Sequence, residues 1–351
     1  MIHIGVVGCG YWGPKHIRVC NELRDIVLTS VCDTDEERLQ PVISQYPNVK
    51  ATTDYEEFLK NRLDAVIIAT PVNTHYELAK EALLNNKHVL IEKPMTATSQ
   101  EAYELVNLAE KQKLVLMAGH TYEYHPAVDF LRDMVNNGEL GDIYSIDAAR
   151  LNLGLFRTDV NVLWDLAPHD ISIILSILKD NPIEVSARGT RHIDPHTYDI
   201  VYLEIMFPNG TMGHVHVSWL HPRKIRQTTI VGSKKMAVYD DVSETEKIHI
   251  YDKGITTPKY YNGTSNGNTN GRFSAWPPNY RYGDVIIPYV SNAEPLKLEC
   301  SHFVSCITEG KKPRSDGWVG LKVTSILEAS EKSLANAGQR VKLDLSNIII
   351  A

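Results

Sequence analysis

Residues 4–13 read Ile4-Gly5-Val6-Val7-Gly8-Cys9-Gly10-Tyr11-Trp12-Gly13, an apolar run that passes into a glycine-rich turn. The turn has the pattern G-x-G-x-x-G, placed between a predicted strand and a predicted helix over 14–23. In such a turn the first glycine permits the bend, the second lets the backbone approach a pyrophosphate, and the third allows close helix–strand packing. The free N–H groups at the helix N-terminus favour an anion. This context favours a dinucleotide-binding turn over a glycine-rich turn that binds nothing. The residues predicted to contact the cofactor are Gly8, Gly10, Tyr11, Trp12 and Gly13.

A second predicted strand, over 27–32, ends at Asp33, which follows Gly13 by 20 residues. An acidic side chain at that spacing accepts hydrogen bonds from the ribose hydroxyls of NAD and repels the 2′-phosphate of NADP. The sequence therefore predicts NAD as the cofactor. NADP is the less favoured alternative, because Arg38 stands near enough in the chain to accommodate a phosphate.

Strands and helices alternate through the first third of the chain. The continuous apolar run over 65–69 is typical of a parallel strand that is buried on both faces. Further elements are predicted over 33–46, 54–59 (with Asp54 as its N-cap), 76–84, 88–91, 99–111 and 114–118. This alternation predicts an α/β fold with a doubly wound parallel sheet, a Rossmann domain over residues 1–120.

The pattern changes after residue 120. A helix is predicted over 126–136, and alternating apolar runs follow residue 143. The turn residues Pro208-Asn209-Gly210 join two of these runs into a predicted β-hairpin. We therefore predict a second, α+β domain over 121–351 with an antiparallel sheet. It should include a mobile surface loop over 262–271 and closing helices over 296–308 and 320–337.

Composition narrows the class of protein. The chain has 351 residues, 43% of them hydrophobic, and a formal net charge of −7. That length indicates two domains, and the negative charge argues against nucleic acid or a membrane surface as partner. We find no apolar run long enough to span a membrane and no signal peptide ahead of the first strand. The five cysteines lack metal-ligand spacing, so we expect reduced thiols, no metal site and a cytoplasmic protein.

Polar clusters stand at three predicted strand ends, where doubly wound sheets bind their ligands. They are Asp33, a predicted turn over 70–75, and Glu92-Lys93-Pro94. Lys93 follows a buried strand, so its ammonium should face the nicotinamide end of the cleft, polarise a substrate oxygen and help move its proton. The alternative is an ordinary surface lysine. The residues of the last two clusters predicted to contact the cofactor are Thr70, Pro71, Asn73, His75, Glu92 and Lys93.

A further cluster is Trp164-Asp165-Leu166-Ala167-Pro168-His169-Asp170. Apolar residues recur at helical spacing beyond it, and Pro168 is best tolerated in a first turn, so we predict a helix that starts near Asp165. Asp165 and His169 would lie one turn apart, exposed at the helix start. Histidine titrates near neutrality and suits a general acid or base. The alternatives are a simple N-cap for Asp165 and an ordinary helix histidine for His169.

Taken together, these motifs resemble the glucose–fructose oxidoreductase / inositol dehydrogenase (Gfo/Idh/MocA) family over nearly the whole chain. The matching segments are the glycine turn, Ala69-Thr70-Pro71 with His75, Glu92-Lys93-Pro94, and Asp165 with His169. The resemblance implies a Rossmann domain, a second domain with an open, mostly antiparallel sheet, and hydride transfer between NAD(P) and a sugar or cyclitol carbinol. It implies that Lys93, Asp165 and His169 are catalytic, with a cis Lys93–Pro94 bond. Asp165 would orient substrate and set the proton state of the lysine, and His169 would act as acid/base.

Two segments depart from the usual pattern of the family. Asn161-Val162-Leu163-Trp164 stands where two glycines often precede the aspartate, and Gly119 to Pro126 replaces a version that bears arginine. With Trp164 to Asp170, the second segment resembles the branch that acts on nucleotide-linked sugars at the 3-position, such as UDP-N-acetylglucosamine or its uronic acid.

The sequence thus predicts an NAD-dependent sugar dehydrogenase acting on a nucleotide-linked sugar. The residues predicted to bind substrate are Tyr122, Arg150, Asn152, Asp165 and His169; for Arg150 and Asn152 the alternative is a solvent-facing strand position. The alternative functions are an inositol or free-sugar dehydrogenase, a redox-neutral lyase or glycosidase that uses bound NAD, and a non-catalytic NAD-binding sensor of the same fold. The open sheet of the family predicts a homodimer or homotetramer, because an apolar outer face needs a cover.

Overall fold

The computed structural model describes residues 1–154, 156–157, 159–256 and 279–345. The loop predicted over 262–271 lies outside these ranges. No helix within them is both long enough and apolar enough to cross a membrane.

The N-terminal part is a parallel sheet flanked by helices. Its strands are β1 (Ile2–Val7), β2 (Ile26–Cys32), β3 (Lys50–Thr52), β4 (Ala65–Ile68), β5 (His88–Glu92) and β6 (Leu116–Gly119). Its helices are α1 (Gly13–Glu22), α2 (Glu36–Gln45), α3 (Tyr55–Leu59), α4 (Val72–Leu84) and α5 (Ser99–Gln112). The strand order is β3-β2-β1-β4-β5-β6, and every neighbouring pair is parallel. The doubly wound Rossmann sheet is confirmed.

Side-chain caps explain several of the helix starts in this part of the chain. Asp54 caps α3 by accepting from the N–H of Glu57, as predicted. Thr98 and Glu101 form a capping box at α5. The prediction of a turn over 70–75 is wrong in part, because α4 begins at Val72. Pro71 takes the extended N-cap conformation, so the polar residues that looked like a turn form the first helical turn.

The second part is built on a nine-stranded mixed sheet. Its main strands are β7 (Ile143–Leu153), β8 (Glu184–Thr190), β9 (Ile200–Met206), β10 (Met212–Ser218), β11 (Leu220–Gly232), β12 (Met236–Asp240) and β13 (Ile248–Tyr251). Short strands are β14 (Gly254–Thr256), β15 (Asn279–Arg281), β16 (Val285–Ile286) and β17 (Val341–Lys342); β14 and β15 pair separately. The order is β16-β13-β12-β11-β7-β10-β9-β8-β17. The β9–β10 hairpin is antiparallel, as predicted, and β7 pairs with β10 in parallel.

Within the described ranges, four helices and one short 3₁₀ helix pack on this sheet or against the first part of the chain. They are α6 (Pro126–Asn136), α7 (Val162–Leu178), α8 (Pro295–Glu309) and α9 (Gly317–Ala335), and a short 3₁₀ helix spans Thr121–Tyr124. Helix α7 buries Ile171 and Ile174 against the sheet. Helix α9 packs against α5 and β6 of the first sheet and against β8 of the second. Because α9 contacts both sheets, the division at residue 120 stays a prediction.

Candidate active site

The glycine turn is shaped as a cradle. Gly8 has φ +90°, and a Cβ there would stand 2.5 Å from the carbonyl oxygen of Ala69. A Cβ on Gly13 would stand 1.8 Å from the carbonyl oxygen of Gly8, so α1 and the turn touch backbone to backbone. At Gly10 the nearest atom would be Arg38 Nη1 at 3.7 Å, which leaves open space above the backbone. These environments fit the three roles predicted for the glycines and admit a pyrophosphate at Gly10.

A cavity of about 600 Å³ opens above this turn, at the carboxyl ends of the parallel strands. The predicted cofactor residues that line it are Gly8, Gly10, Tyr11, Trp12, Asp33, Thr70, Pro71, His75, Glu92 and Lys93. Asp165, Arg157 and Trp164 line the same cavity. Of the predicted residues in the described ranges, Gly13, Asn73, Tyr122, Arg150, Asn152 and His169 are not part of its lining. The cavity therefore joins the glycine turn, Asp33, Lys93 and Asp165 in one space.

Asp33 is fixed at the end of β2 by the backbone around it. Its Oδ2 accepts from the N–H of Cys9 at 2.6 Å, and its Oδ1 accepts from the N–H of Asp35 at 2.9 Å. The carboxylate thus ties the glycine turn to the second strand. Arg38 pairs with Asp35, with 3.2 Å between Nε and Oδ2.

His75 and Glu92 are buried residues of the cavity wall. His75 is buried, with Nδ1 at 3.0 Å from the carbonyl oxygen of Pro94 and Nε2 at 2.8 Å from that of Thr70. Burial lowers the pKa of His75, so the ring is neutral at pH 7 and donates to one carbonyl at a time. The Lys93–Pro94 bond is cis, as the resemblance implied.

Glu92 forms a buried ion pair that sequence reasoning did not find. Its Oε1 lies 2.8 Å from Nε2 of His16 on α1. Burial acts to lower the pKa of His16, but hydrogen bonds to Cys300 and Glu92 raise it to about 10. His16 is therefore charged at pH 7. The available signal was a histidine on the buried, apolar face of α1.

Lys93 meets Asp165 across the two parts of the chain. Its Nζ donates to the carbonyl oxygen of Asp165 at 2.6 Å and lies 3.7 Å from Asp165 Oδ1. The lysine side chain is only 8% exposed. Burial lowers the pKa of Lys93, and the Asp165 and Glu92 carboxylates oppose that shift. A buried lysine with a lowered pKa, held at a cavity wall, suits proton transfer.

Two residues that the sequence did not single out hold the Asp165 carboxylate. Trp219 donates from Nε1 to Asp165 Oδ2 at 3.0 Å, and Arg157 Nη1 lies 3.5 Å from Oδ1. Trp219 is almost wholly buried at the end of β10. These contacts orient the carboxylate toward Lys93. No spacing in the sequence links the three residues to one another.

The start of α7 differs from the prediction. The helix begins at Val162, and Asn161 is its N-cap, accepting from the N–H groups of Leu163 and Trp164. Asp165 is therefore not the N-cap. Pro168 lies in the second turn, where its missing N–H leaves the Trp164 carbonyl without a helical partner. The next carbonyl, that of Asp165, accepts from Lys93.

His169 is buried, not exposed as predicted. Its ring packs edge-on against Tyr122, with 4.8 Å between the ring centroids. Its Nδ1 has no hydrogen-bond partner in the described part of the chain. Burial lowers the pKa of His169 well below its usual value, and the positive charges of Lys93 and Arg150 add to that effect. The imidazole is therefore neutral at pH 7 and available as a base.

Arg150 is committed to a buried ion pair. It forms a two-point contact with Asp170, with Nε–Oδ2 2.8 Å and Nη2–Oδ1 3.0 Å. The alternative of a solvent-facing Arg150 is wrong, since the residue is 4% exposed. Its guanidinium lies 4.5 Å from the centroid of Tyr122, whose hydroxyl accepts from Arg226. Asn152 is partly exposed on the same strand, β7. Substrate contact by Tyr122, Arg150 and Asn152 stays a prediction.

His120 follows β6 and is fully buried, and neither ring nitrogen has a hydrogen-bond partner within the described residues. Burial lowers the pKa of His120 to about 4 against the opposing charge of Glu92. The site therefore holds neutral imidazoles at His120 and His169 near one lysine.

A Rossmann sheet with an acidic strand end, and a buried lysine on the same cavity, define a dinucleotide-dependent oxidoreductase. Comparison with known families agrees. The model of the oxidoreductase family with an NAD-binding Rossmann fold matches residues 2–120, and that of the GFO/IDH/MocA C-terminal domain matches residues 128–238. The chain belongs to the Gfo/Idh/MocA oxidoreductase family, as its motifs predicted.

Among curated relatives, UDP-N-acetylglucosamine 3-dehydrogenase of Acidithiobacillus ferrooxidans is 31% identical over 265 residues, covering 73% of this chain and 80% of that protein. Myo-inositol 2-dehydrogenase of Thermotoga maritima is 25% identical over 274 residues, covering 74% and 81%. The solved structure of the Acidithiobacillus enzyme covers 95% of this chain and 98% of its own, with TM-score 0.78 and 24% identity. GenD2 from gentamicin A biosynthesis, solved in complex with NAD, gives TM-score 0.80 at 22% identity over 98% and 96%. The structural matches show the shared fold.

Proposed function

We propose that this protein is an NAD-dependent dehydrogenase of a nucleotide-linked sugar. The observation that carries the proposal is the buried Lys93, bonded to Asp165 on the wall of the cavity that the glycine turn and Asp33 also line. The residues present fit NAD, because the turn leaves open space at Gly10 and an acidic side chain stands at the end of β2. Bound NAD would supply the acceptor for the hydride.

The chain's own residues would handle the proton. Lys93 would contact the oxygen of the reacting hydroxyl, and neutral His169 would take up the proton that leaves it. The positive charge of Lys93 is one cause of the lowered pKa of His169, so a proton on one group disfavours a proton on the other. Lys93 and His169 therefore tend to carry one proton between them, which leaves the other group free to act as a base. Asp165, held by Trp219 and Arg157, would fix the lysine.

The substrate class rests on the relatives. The 31% identical relative is named for UDP-N-acetylglucosamine and oxidation at the 3-position, which supports a UDP-linked sugar. Myo-inositol is the alternative, supported by the 25% identical relative. Arg157, on the cavity wall beside Asp165 and paired with Asp159, would offer its remaining donors to a diphosphate.

The test is the formation of NADH with a panel of UDP-N-acetylglucosamine, its uronic acid, free N-acetylglucosamine and myo-inositol. We expect turnover with a UDP-linked sugar and little with the free sugar. The Lys93→Met variant serves as the matched inactive control. Turnover with myo-inositol alone would overturn the substrate class. NAD binding without turnover on any sugar would favour a non-catalytic sensor.

We also propose NAD over NADP. Asp33 is locked in place by two backbone N–H groups, and Arg38 is engaged by Asp35, so the ribose end presents a carboxylate rather than a free guanidinium. Titration with both cofactors tests this. Equal or tighter binding of NADP would refute it.

We propose a cytoplasmic homodimer or homotetramer that associates through the outer face of the nine-stranded sheet. Tyr202 and Met212 on that face are 47% and 37% exposed, and Tyr202 stacks on His216 with 4.1 Å between ring centroids. All five cysteines are free and buried, which suits a reducing compartment. Sedimentation should give a dimer or larger, and Tyr202→Glu should shift it toward monomer. A monomer at micromolar concentration would contradict the assembly.

A further inference from the structure

A second cavity, of about 380 Å³, lies at the opposite end of α7 from Asp165. The helix rises about 1.5 Å per residue, so the two ends stand about 20 Å apart. The polar side chains that matter here are those of Glu123, Arg132, Ser176, Lys179, Arg314 and Lys322. They come from the 3₁₀ helix, α6, α7, the segment before α9, and α9 itself, so the cavity is enclosed by several elements.

Cations outnumber carboxylates around this cavity. Arg132 and Arg314 share one carboxylate, that of Asp129, at 2.6 and 2.7 Å. Neither Lys179 nor Lys322 forms an ion pair with any carboxylate in the described ranges. Asp180 is the one acid on the lining besides Glu123, among residues that the structure describes. The cavity therefore holds uncompensated positive charge.

Two groups on the lining are buried without the partner that burial normally requires. Lys322 sits partly buried on α9, and burial lowers its pKa although Asp316 opposes that shift. Glu123 is 1% exposed, and its Oε1 has no hydrogen-bond partner in the described part of the chain. Among the described residues, a partly buried ammonium lacks a counter-ion and one oxygen of a buried carboxyl lacks a hydrogen-bond partner, each of which costs stability.

Burial favours the protonated form of the Glu123 carboxyl group. Burial raises its pKa to about 8 against the opposing charges of Arg132 and Arg314, while Glu299 and Asp316 raise it further. The carboxyl group is therefore mostly protonated at pH 7. A protonated carboxyl can donate its O–H to an anion, where an ionised one would repel it.

We propose that this cavity is a second ligand site, which takes a phosphoryl group or a similar tetrahedral oxyanion. Such a ligand would supply the missing counter-ion of the partly buried Lys322 and a partner for Oε1 of Glu123, with the exposed Lys179 beside it. Donors that reach one cavity from several elements suit the several oxygens of a tetrahedral anion. The site is separate from the cofactor cavity, with which it shares no lining residue.

The first test uses sulfate and inorganic phosphate as probes on the whole protein, with NAD present at saturation so that the glycine turn is filled. We expect saturable thermal stabilisation beyond that of chloride at equal ionic strength. Lys322→Met should weaken sulfate binding about tenfold. Lys332→Met, an exposed lysine on the same helix, is the matched control and should bind as the native chain does. Equal binding by Lys322→Met, or stabilisation no greater than that by chloride, would overturn the site.

A second test separates Glu123 from the lysines. Sulfate keeps its charge over roughly pH 6–9, so a change in its affinity there reports on the protein. Affinity should fall as pH rises through about 8 in the native chain, because the carboxyl ionises. In Glu123→Gln, which keeps a donor and cannot ionise, that fall should be smaller, and what remains reports on Lys322, whose pKa burial lowers. An equal fall in both chains would refute donation by Glu123. Glycerol phosphate in place of phosphate shows whether the site takes an ester as well as the free ion.

Discussion

Replacing Lys93 by methionine tests the centre of the proposed mechanism. The substitution keeps an unbranched apolar chain as long as the aliphatic part of lysine and removes the ammonium that bonds the Asp165 carbonyl and faces the Asp165 carboxylate. A positioned acid or base contributes about 10²–10⁴-fold to a rate. We therefore expect kcat to fall by that factor, equivalent to about 3–5 kcal/mol in the barrier.

The same variant should not lose stability. Burial lowers the pKa of Lys93, so holding its charge in the folded state carries a free-energy cost. Below the folded pKa both states bind the proton and the cost is fully present. As pH rises toward the unfolded value of about 10.4, the folded state releases the proton first and the cost disappears. Lys93→Met should therefore be at least as stable as the native chain near neutrality, with any gain shrinking at alkaline pH.

Three measurements decide the outcome. NADH absorbance at saturating sugar gives kcat, fluorescence titration gives the affinity for NAD, and calorimetry at several pH values gives Tm. Lys111→Met, an exposed lysine on α5, is the control for loss of a lysine in general. A kcat within about threefold of native would refute the catalytic assignment, being far below the usual effect of a positioned acid or base. A large drop in Tm with normal turnover per folded molecule would show that Lys93 is structural.

Three further predictions concern the surroundings of this lysine. His169→Gln should reduce the rate of sugar oxidation about 10²-fold and abolish the acid limb of the pH–rate profile. In the native chain that limb should lie well below pH 6.5, because burial and neighbouring cations lower the pKa of the histidine. Stopped-flow profiles measure the limb, and finding it unchanged in the variant would contradict this prediction. Asp33→Ala should lower the affinity for NAD about tenfold and the affinity for NADP less, as measured in parallel titrations. An equal loss of affinity for both cofactors would show that the carboxylate only stabilises the glycine turn. Asp170→Asn should lower the free energy of unfolding by about 3–5 kcal/mol in denaturant titration, because Arg150 would stay buried without its full counter-charge. The control Asp147→Asn, at an exposed acid on β7, should change the free energy of unfolding little. A similar loss in that control would contradict a special contribution of the buried Arg150–Asp170 pair.

The sequence was informative where structure follows from local pattern. The glycine turn, the buried strand over 65–69 and the Asp54 cap each depend on residues a few positions apart, and the structure has all three. Strand β3 is only three residues long, too short for periodicity to reveal. The start of α7 was misplaced because Pro168 suggests a first turn, whereas Asn161 supplies a cap one turn earlier.

The arrangement of the site was less predictable, because it depends on contacts between distant positions. Lys93 and Asp165 are 72 residues apart, and the patterns that placed Lys93 at a strand end and Asp165 at a helix start did not bring them together. Trp219 comes from the end of β10, a further 54 residues along. Only the family resemblance linked Lys93 with Asp165 in advance, and nothing in the sequence pointed to Trp219 or Arg157.

The protonation states of the buried histidines also depend on contacts between residues that are far apart in the sequence. Three of the buried histidines near Glu92 and Lys93 show how protonation is decided: His16, His120 and His169. His16 is charged because Glu92, 76 residues away, lies 2.8 Å from its Nε2. His120 and His169 lack such a partner, so burial keeps them neutral. Residue type and burial are the same in all three, and the carboxylate decides which ring is a cation. Because His169 is neutral and lies one turn from Asp165 on the same helix, it is the ring that we propose takes up the proton of the reacting hydroxyl.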